Sequence, residues 1–196
     1  MFKGNFWFAS SVAVYGASSL ELQSENDICN PLSNYAVIKL AGEEYLKMMS
    51  ATSDLSLGSF RIFSTFGENL KRQLIFDIHQ KIKQDQNKIF LFGSGEEIRD
   101  LSYVGDQVER IKIVADNVKP NGDVYNIGSG EPTKIKSVAE EIVKIMGYDT
   151  KINYTSKERV FDGNSWVANM EKFERISPNP EASLFDSIKK TIISLE

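Results

Sequence analysis

The sequence predicts an α/β fold built on a parallel sheet. Short apolar runs that read as buried strands alternate with longer stretches of helical period. The helix period is clearest at Ile135–Met146, where Ile135, Val138, Ala139, Ile142, Val143 and Met146 form one apolar stripe and Gly147 supplies the stop. Turn signals such as Pro120-Asn121-Gly122-Asp123 separate the elements.

Taken in order, Phe6–Ser11 is an apolar run ending in small polar residues, the composition of a strand buried on both faces. Ala17–Asn30 is polar and irregular and predicts a surface loop. Pro31 and Ser33 signal a helix start, and Tyr35–Met49 follows as that helix, with Leu40, Ala41, Glu44, Tyr45 and Met48 along adjoining faces. Leu57–Ser64 predicts a second strand, Leu74–Lys83 a helix, and Ile89–Phe92 a short strand closed by Gly93-Ser94-Gly95. Ser102–Val104 is a brief β segment ahead of a helix over Asp106–Ala115. Val124–Ile127 and Lys151–Tyr154 are further strands. Ser183 and Asp186 make a capping-box-like start to the last helix, which is expected to bury Leu184, Phe185, Ile188, Ile192 and Leu195.

Composition narrows the class. With 41% hydrophobic and 26% charged residues, the chain is an ordinary soluble globular sequence, long enough at 196 residues for a core. A net charge of −4 gives no bulk electrostatic case for nucleic acid or a membrane surface. An anionic substrate must therefore be met by local arginines and backbone N–H groups. Cys29 is the one cysteine, which excludes an intrachain disulfide framework and makes a cytoplasmic setting the expectation. No apolar run has the length of a membrane span, and Met1–Phe8 is too short and polar for a signal peptide. One histidine, His79, and one cysteine cannot assemble a metal site of the usual spacings, so no metal is expected.

Two local patterns can carry chemistry. Tyr35 and Lys39 are four residues apart and share a helix face. A tyrosine at its ordinary pKa is a poor base at neutral pH, and a neighbouring ammonium favours the phenolate, which can take a proton from a sugar hydroxyl. Upstream, Ala9-Ser10-Ser11-Val12-Ala13-Val14-Tyr15-Gly16 ends the first predicted strand. A serine there points into the crevice where open α/β sheets bind ligands. The plainer readings are an amphipathic helix with a surface lysine and a serine that caps a loop.

Ser10-Ser11-Val12-Ala13-Val14-Tyr15-Gly16, Tyr35-Ala36-Val37-Ile38-Lys39 and Phe60-Arg61-Ile62-Phe63-Ser64-Thr65-Phe66-Gly67 resemble successive signatures of the extended short-chain dehydrogenase/reductases. Arg99-Asp100-Leu101-Ser102-Tyr103-Val104-Gly105-Asp106 and Tyr125-Asn126-Ile127-Gly128-Ser129-Gly130-Glu131 resemble two more. These five segments are collinear with the family and span nearly the whole chain.

The resemblance implies a Rossmann-type fold. Residues 1–67 would be the second half of a dinucleotide-binding sheet with its catalytic helix. Residues 68–196 would be mainly a smaller mixed α/β substrate domain, with about 101–115 returning to the sheet. It implies catalysis by Ser11, Tyr35 and Lys39, with Ser10, Tyr35, Lys39 and Ile62 on the side of an NAD or NADP cofactor. Arg99 and Arg159 would meet a nucleotide diphosphate, for which a planar, always-charged guanidinium is suited. Ser64 takes a substrate-contact position where Asn is usual, and Ile38 stands where Ser is usual before the lysine. Dehydratases of the family carry an Asp-Glu pair at the positions of Val12 and Ala13, which cannot move protons, so the pattern resembles UDP-galactose 4-epimerase more closely. The implied reaction is epimerisation of a nucleotide sugar by reversible hydride transfer. A nucleotide-sugar reductase or dehydrogenase shares the pattern.

One family feature is not in the sequence. The resemblance implies an opening Gly-x-x-Gly-x-x-Gly turn for the pyrophosphate within about a hundred residues ahead of the serine segment, at roughly 30 residues per β-α-β unit. Here Ala9 follows eight residues, and the glycine pairs at 93/95 and 128/130 have Ile98 and Thr133 at the third position. An alternative to the enzyme reading is therefore a truncated or split-gene product without catalysis on its own, and a homo-oligomer or a partner chain supplying the missing strands is expected. Phe6–Ser11 would then be an open edge with Phe6, Trp7 and Phe8 uncovered.

Overall fold

In the computed structural model, which describes residues 4–17, 21–155, 165–180 and 183–196, the elements alternate as an α/β fold. The chain runs β1 (Asn5–Ser11), a 3-10 turn (Val12–Tyr15), α1 (Asn34–Thr52), β2 (Ser56–Ile62), β3 (Ser64–Phe66), α2 (Gln73–Gln84) and β4 (Lys88–Leu91). It continues through β5 (Ile98–Tyr103), α3 (Val104–Asn117), β6 (Asp123–Ile127), β7 (Pro132–Lys134), α4 (Ile135–Met146), β8 (Lys151–Tyr154), β9 (Ser165–Trp166), α5 (Glu171–Glu174) and α6 (Leu184–Leu195).

β1, β2 and β6 form a parallel sheet in that order. Ser11 pairs with Ile62 and Ile62 with Ile127, so the three strands end level at one rim. A second sheet is centred on β5, which pairs in parallel with β3 and β9 and antiparallel with β7. β4 and β8 make a separate parallel pair.

Two apolar cores hold these layers. One gathers Val14, Phe60, Phe63, Val114, Ile127 and Phe173 around the first sheet. The other gathers Ile78, Ile82, Val138, Ile142, Ile188 and Ile192 from α2, α4 and α6. Of the stretch 101–115 expected to return to the first sheet, residues 101–103 lie in β5 of the second sheet, and α3 packs Val114 against the first core. The strand that joins the first sheet from this half of the chain is β6, and Phe173 of α5 packs in the same core. No helix among the described residues is long and apolar enough to cross a membrane.

The caps follow the local chemistry. Ser33 Oγ accepts from Ala36 N at 3.2 Å and starts α1, Gly147 closes α4 with φ of 73°, and Ser183 Oγ accepts from Asp186 N to start α6. Phe185 does not enter the core and is 43% exposed.

One expected strand is corrected. The run Leu57–Ser64 is not one strand. Phe63 N donates to Ile127 O and its ring enters the first core, whereas Ser64 pairs with Leu101, so the chain changes sheets at Phe63. The buried residues of α1 are Ala36, Glu43 and Ser50, with Leu40 packed against the first core, while Tyr45 and Met48 are exposed. The helix lies close to β1, since a Cβ on Gly42 would come within 2.9 Å of the Phe8 ring. Phe8 is thus covered by the helix, and Trp7 stacks on Phe60 with centroids 4.4 Å apart, leaving Phe6 as the most exposed of the three aromatic residues.

An ion pair locks this close packing. Arg61 in β2 donates through Nη2 to Glu43 Oε2 at 2.7 Å and through Nε to both carboxylate oxygens, and Ser10 Oγ donates to Glu43 Oε1. Burial opposes the Arg61 charge most strongly, but the hydrogen bonds it donates to Glu43, the Glu43 charge and the Tyr15 contacts together outweigh it, and its pKa is raised. Removing one member of such a pair strands a buried charge. Glu43→Gln should therefore lower the unfolding free energy by about 3 kcal/mol, and adding Arg61→Met should recover a large part of it. Urea unfolding measures both, and a loss under about 1 kcal/mol in the single variant would contradict the role of the pair.

Candidate active site

A cleft of two adjoining cavities, about 610 and 530 Å³, opens at the rim where β1 and β2 end. This is where ligands of open α/β sheets lodge. Ser11, Tyr35, Ile62 and Arg72 border both cavities, Ser10 and Lys39 the second, and Ser64 and Arg99 the first.

Ser11 is the last residue of β1. Its Oγ accepts from Ala13 N at 3.3 Å, capping the 3-10 turn, and Gly16 closes that turn through its N–H to Ala13 O. Gly16 needs to be glycine, because φ is 67° and a Cβ would lie 1.8 Å from Asn30 O. Strand alternation sends the neighbouring Ser10 side chain the other way, onto Glu43. Ser10 thus borders the second cavity with its hydroxyl already donated.

The Ser33 cap puts Tyr35 in the first turn of α1, 56% exposed to the cleft side, and Lys39 one turn on. Lys39 Nζ donates to Ala9 O at 2.7 Å, 4.8 Å from the Phe8 ring and 5.5 Å from the Tyr35 ring. The strand carbonyl holds the ammonium between β1 and the tyrosine. Ile62 is the register partner of Ser11 and supplies an apolar wall.

On the far side, Ser64 opens β3 opposite Leu101. Arg99 in β5 donates through Nη1 to Ile98 O at 2.8 Å, and its guanidinium lies 5.0 Å over the Trp166 ring. Val12 and Ala13 also border the first cavity, and neither carries a proton to transfer. Arg159 lies outside the described residues. His79 is buried, with Nε2 3.0 Å from Glu196 Oε1, and borders neither cavity.

Beneath the rim runs a polar network absent from the sequence reading. Tyr15 donates to Asn126 Oδ1 at 2.7 Å under the Arg61 guanidinium, and burial pushes its phenol pKa up. Asp100 accepts from Ser129 N and Oγ, Gly130 N and Ala168 N. The available signal was a charged residue inside an otherwise apolar strand, Arg61, which demands a buried partner. Arg72 was also missed, at the N-cap of α2 where both cavities meet.

The arrangement joins a tyrosine, a serine hydroxyl and an ammonium on one side of the cleft, with Arg99 across from them and Arg72 where the cavities meet. It suits proton transfer at a hydroxyl on a ligand held by an anionic group.

Comparison with known proteins agrees in fold and order. A putative UDP-glucose 4-epimerase of Methanocaldococcus jannaschii is 30% identical over 190 residues, covering 94% of this chain and 61% of its own. The uncharacterized UDP-glucose epimerase YtcB of Bacillus subtilis is 29% identical over 192 residues, covering 97% and 60%. MoeE5, solved with UDP-glucose and NAD, superposes with a TM-score of 0.84 at 27% identity, covering 96% of this chain and 64% of that one. The UDP-N-acetylglucosamine 4-epimerase of Methanobrevibacter ruminantium M1, solved with UDP-N-acetylmuramic acid, gives 0.86 at 25% identity, covering 96% and 62%. The chain thus spans about 60% of the length of the curated relatives it matches. The NAD dependent epimerase/dehydratase family matches residues 2–128, more than half of the sequence, and the chain belongs to that family.

Proposed function

We propose that this chain carries the proton-transfer and substrate-binding parts of an NAD(P)-dependent enzyme that epimerises a UDP-linked sugar at C4. The observation that carries the reading is the convergence of Ser11, Tyr35 and Lys39 at the end of β1, with Lys39 fixed on Ala9 O. The relatives named as UDP-glucose epimerases and the NAD complex of MoeE5 support the substrate and cofactor class.

The donor set fits the nicotinamide-ribose end of the cofactor. Lys39 and Tyr35 would hold the ribose, with the Ile62 side chain and the Ser10 main chain as walls. When bound, the cofactor supplies the acceptance and return of hydride at the sugar carbon. The protein's part is proton control. Tyr35 takes the proton of the sugar hydroxyl, Ser11 hydrogen-bonds the same oxygen, and the Lys39 charge favours the phenolate. Arg99 would meet the diphosphate, Ser64 a sugar hydroxyl, and Arg159 a second diphosphate oxygen. In this reading residues 1–67 serve the cofactor side and 68–196 mainly the substrate, with β6 completing the first sheet and α3 packed against its core. Val12 and Ala13 favour epimerisation over water elimination, and they fit a reductase equally.

In the full protein with cofactor supplied, Tyr35→Phe should lower kcat about 100-fold while leaving nucleotide-sugar affinity near normal. Steady-state kinetics and calorimetry measure the two, and unchanged turnover would move the chemistry to another residue. Arg99→Ala should weaken UDP-glucose binding about 10- to 100-fold, through loss of a charge-assisted contact, with little effect on free glucose. Equal losses for both ligands would make Arg99 structural.

A further inference from the structure

We infer that Trp166 is a positioning residue that holds Arg99 and the Ser11 turn in one frame. The inference rests on the diphosphate role proposed for Arg99. β9 is only two residues long, Ser165–Trp166, and its register partner on β5 places Trp166 directly beside Arg99. The indole face lies 5.0 Å from the guanidinium carbon, and its edge donates from Nε1 to Gly16 O at 2.8 Å. Gly16 closes the turn that Ser11 caps. One side chain therefore touches both Arg99 and the turn behind Ser11, and it borders the larger of the two cavities itself.

The physics of the two contacts differs. The ring face restricts the guanidinium, which the Ile98 carbonyl also engages, so less side-chain freedom is lost when an anion binds. The N–H bond fixes the Gly16 carbonyl and with it the position of the turn under the Ser11 hydroxyl. Affinity should follow the ring and turnover the N–H. Ala168, two residues on, is clamped by the Asp100 carboxylate through its N–H at 3.2 Å, which seats β9 against β5 independently of the indole.

Trp166→Phe keeps the ring and drops the N–H. It should leave UDP-glucose affinity within about twofold and lower kcat about 3- to 10-fold. Trp166→Leu removes both contacts and should also weaken affinity about 3- to 30-fold, with no further loss when added to Arg99→Ala. Fluorescence gives a readout free of catalysis. The chain has two tryptophans, and Trp7 is packed on Phe60 away from the cleft, so Trp7→Phe leaves Trp166 as the reporter. In that background Arg99→Ala should shift the resting emission, and UDP-glucose should change it saturably while free glucose does not. Normal affinity in Trp166→Leu beside weakened Arg99→Ala, additive losses in the double variant, or an emission indifferent to Arg99→Ala would overturn the role of Trp166. Normal UDP-glucose affinity in Arg99→Ala would overturn the diphosphate reading beneath it, and this inference with it.

Discussion

The buried Glu43–Arg61 ion pair is the constraint on which the cleft depends. Glu43 is on the helix that carries Tyr35 and Lys39, Arg61 is on the central strand, and Ser10 of the neighbouring strand joins them. Fixing those three points fixes the angle and depth of α1 over β1 and β2. A helix held by an apolar stripe alone can slide by a fraction of an ångström at small cost. A bidentate guanidinium–carboxylate contact cannot, because misaligned donors leave buried charge unmet. The helix also approaches closely enough, through Gly42 over Phe8, for Lys39 to reach a carbonyl of β1.

The second half of the cleft is fixed by another buried acid. Asp100 gathers N–H donors from the loop after β6 and from the segment after β9, and so ties two separated stretches to β5. Its neighbour Arg99 alternates to the other side of the strand, toward the cavity. The two anchors divide the work. One sets the hydroxyl and ammonium groups to which the proposed reaction gives proton transfer, the other the arginine suited to an anionic ligand.

Local features were legible because their signals are local. Ser33 and Gly147 announce helix ends by chemistry that operates within four residues, and the structure places both at caps. The motif residues Ser11, Tyr35 and Lys39 were readable from spacing and resemblance, and the fold brings them to one rim. What stayed hidden depends on distant partners. The break at Phe63 lies inside a continuous apolar run, and only the pairing of Ser64 with Leu101 separates the two strands. The buried face of α1 was not legible, because Tyr45 and Met48 are exposed and a salt bridge and small residues decide which side turns inward. Trp166 gave no signal at all, since a two-residue strand has no period.

The central claim is that this site handles protons on oxygen while hydrogen at the sugar carbon leaves and returns as hydride. Isotope retention tests it most directly. UDP-glucose carrying deuterium at C4 would be converted in ordinary water by the full protein with its cofactor, and the 4-epimer analysed by mass spectrometry and NMR. The account predicts that deuterium stays at C4, because hydride held by a cofactor does not exchange with solvent. Loss of the label to water would contradict it, by showing that the carbon is epimerised through proton exchange.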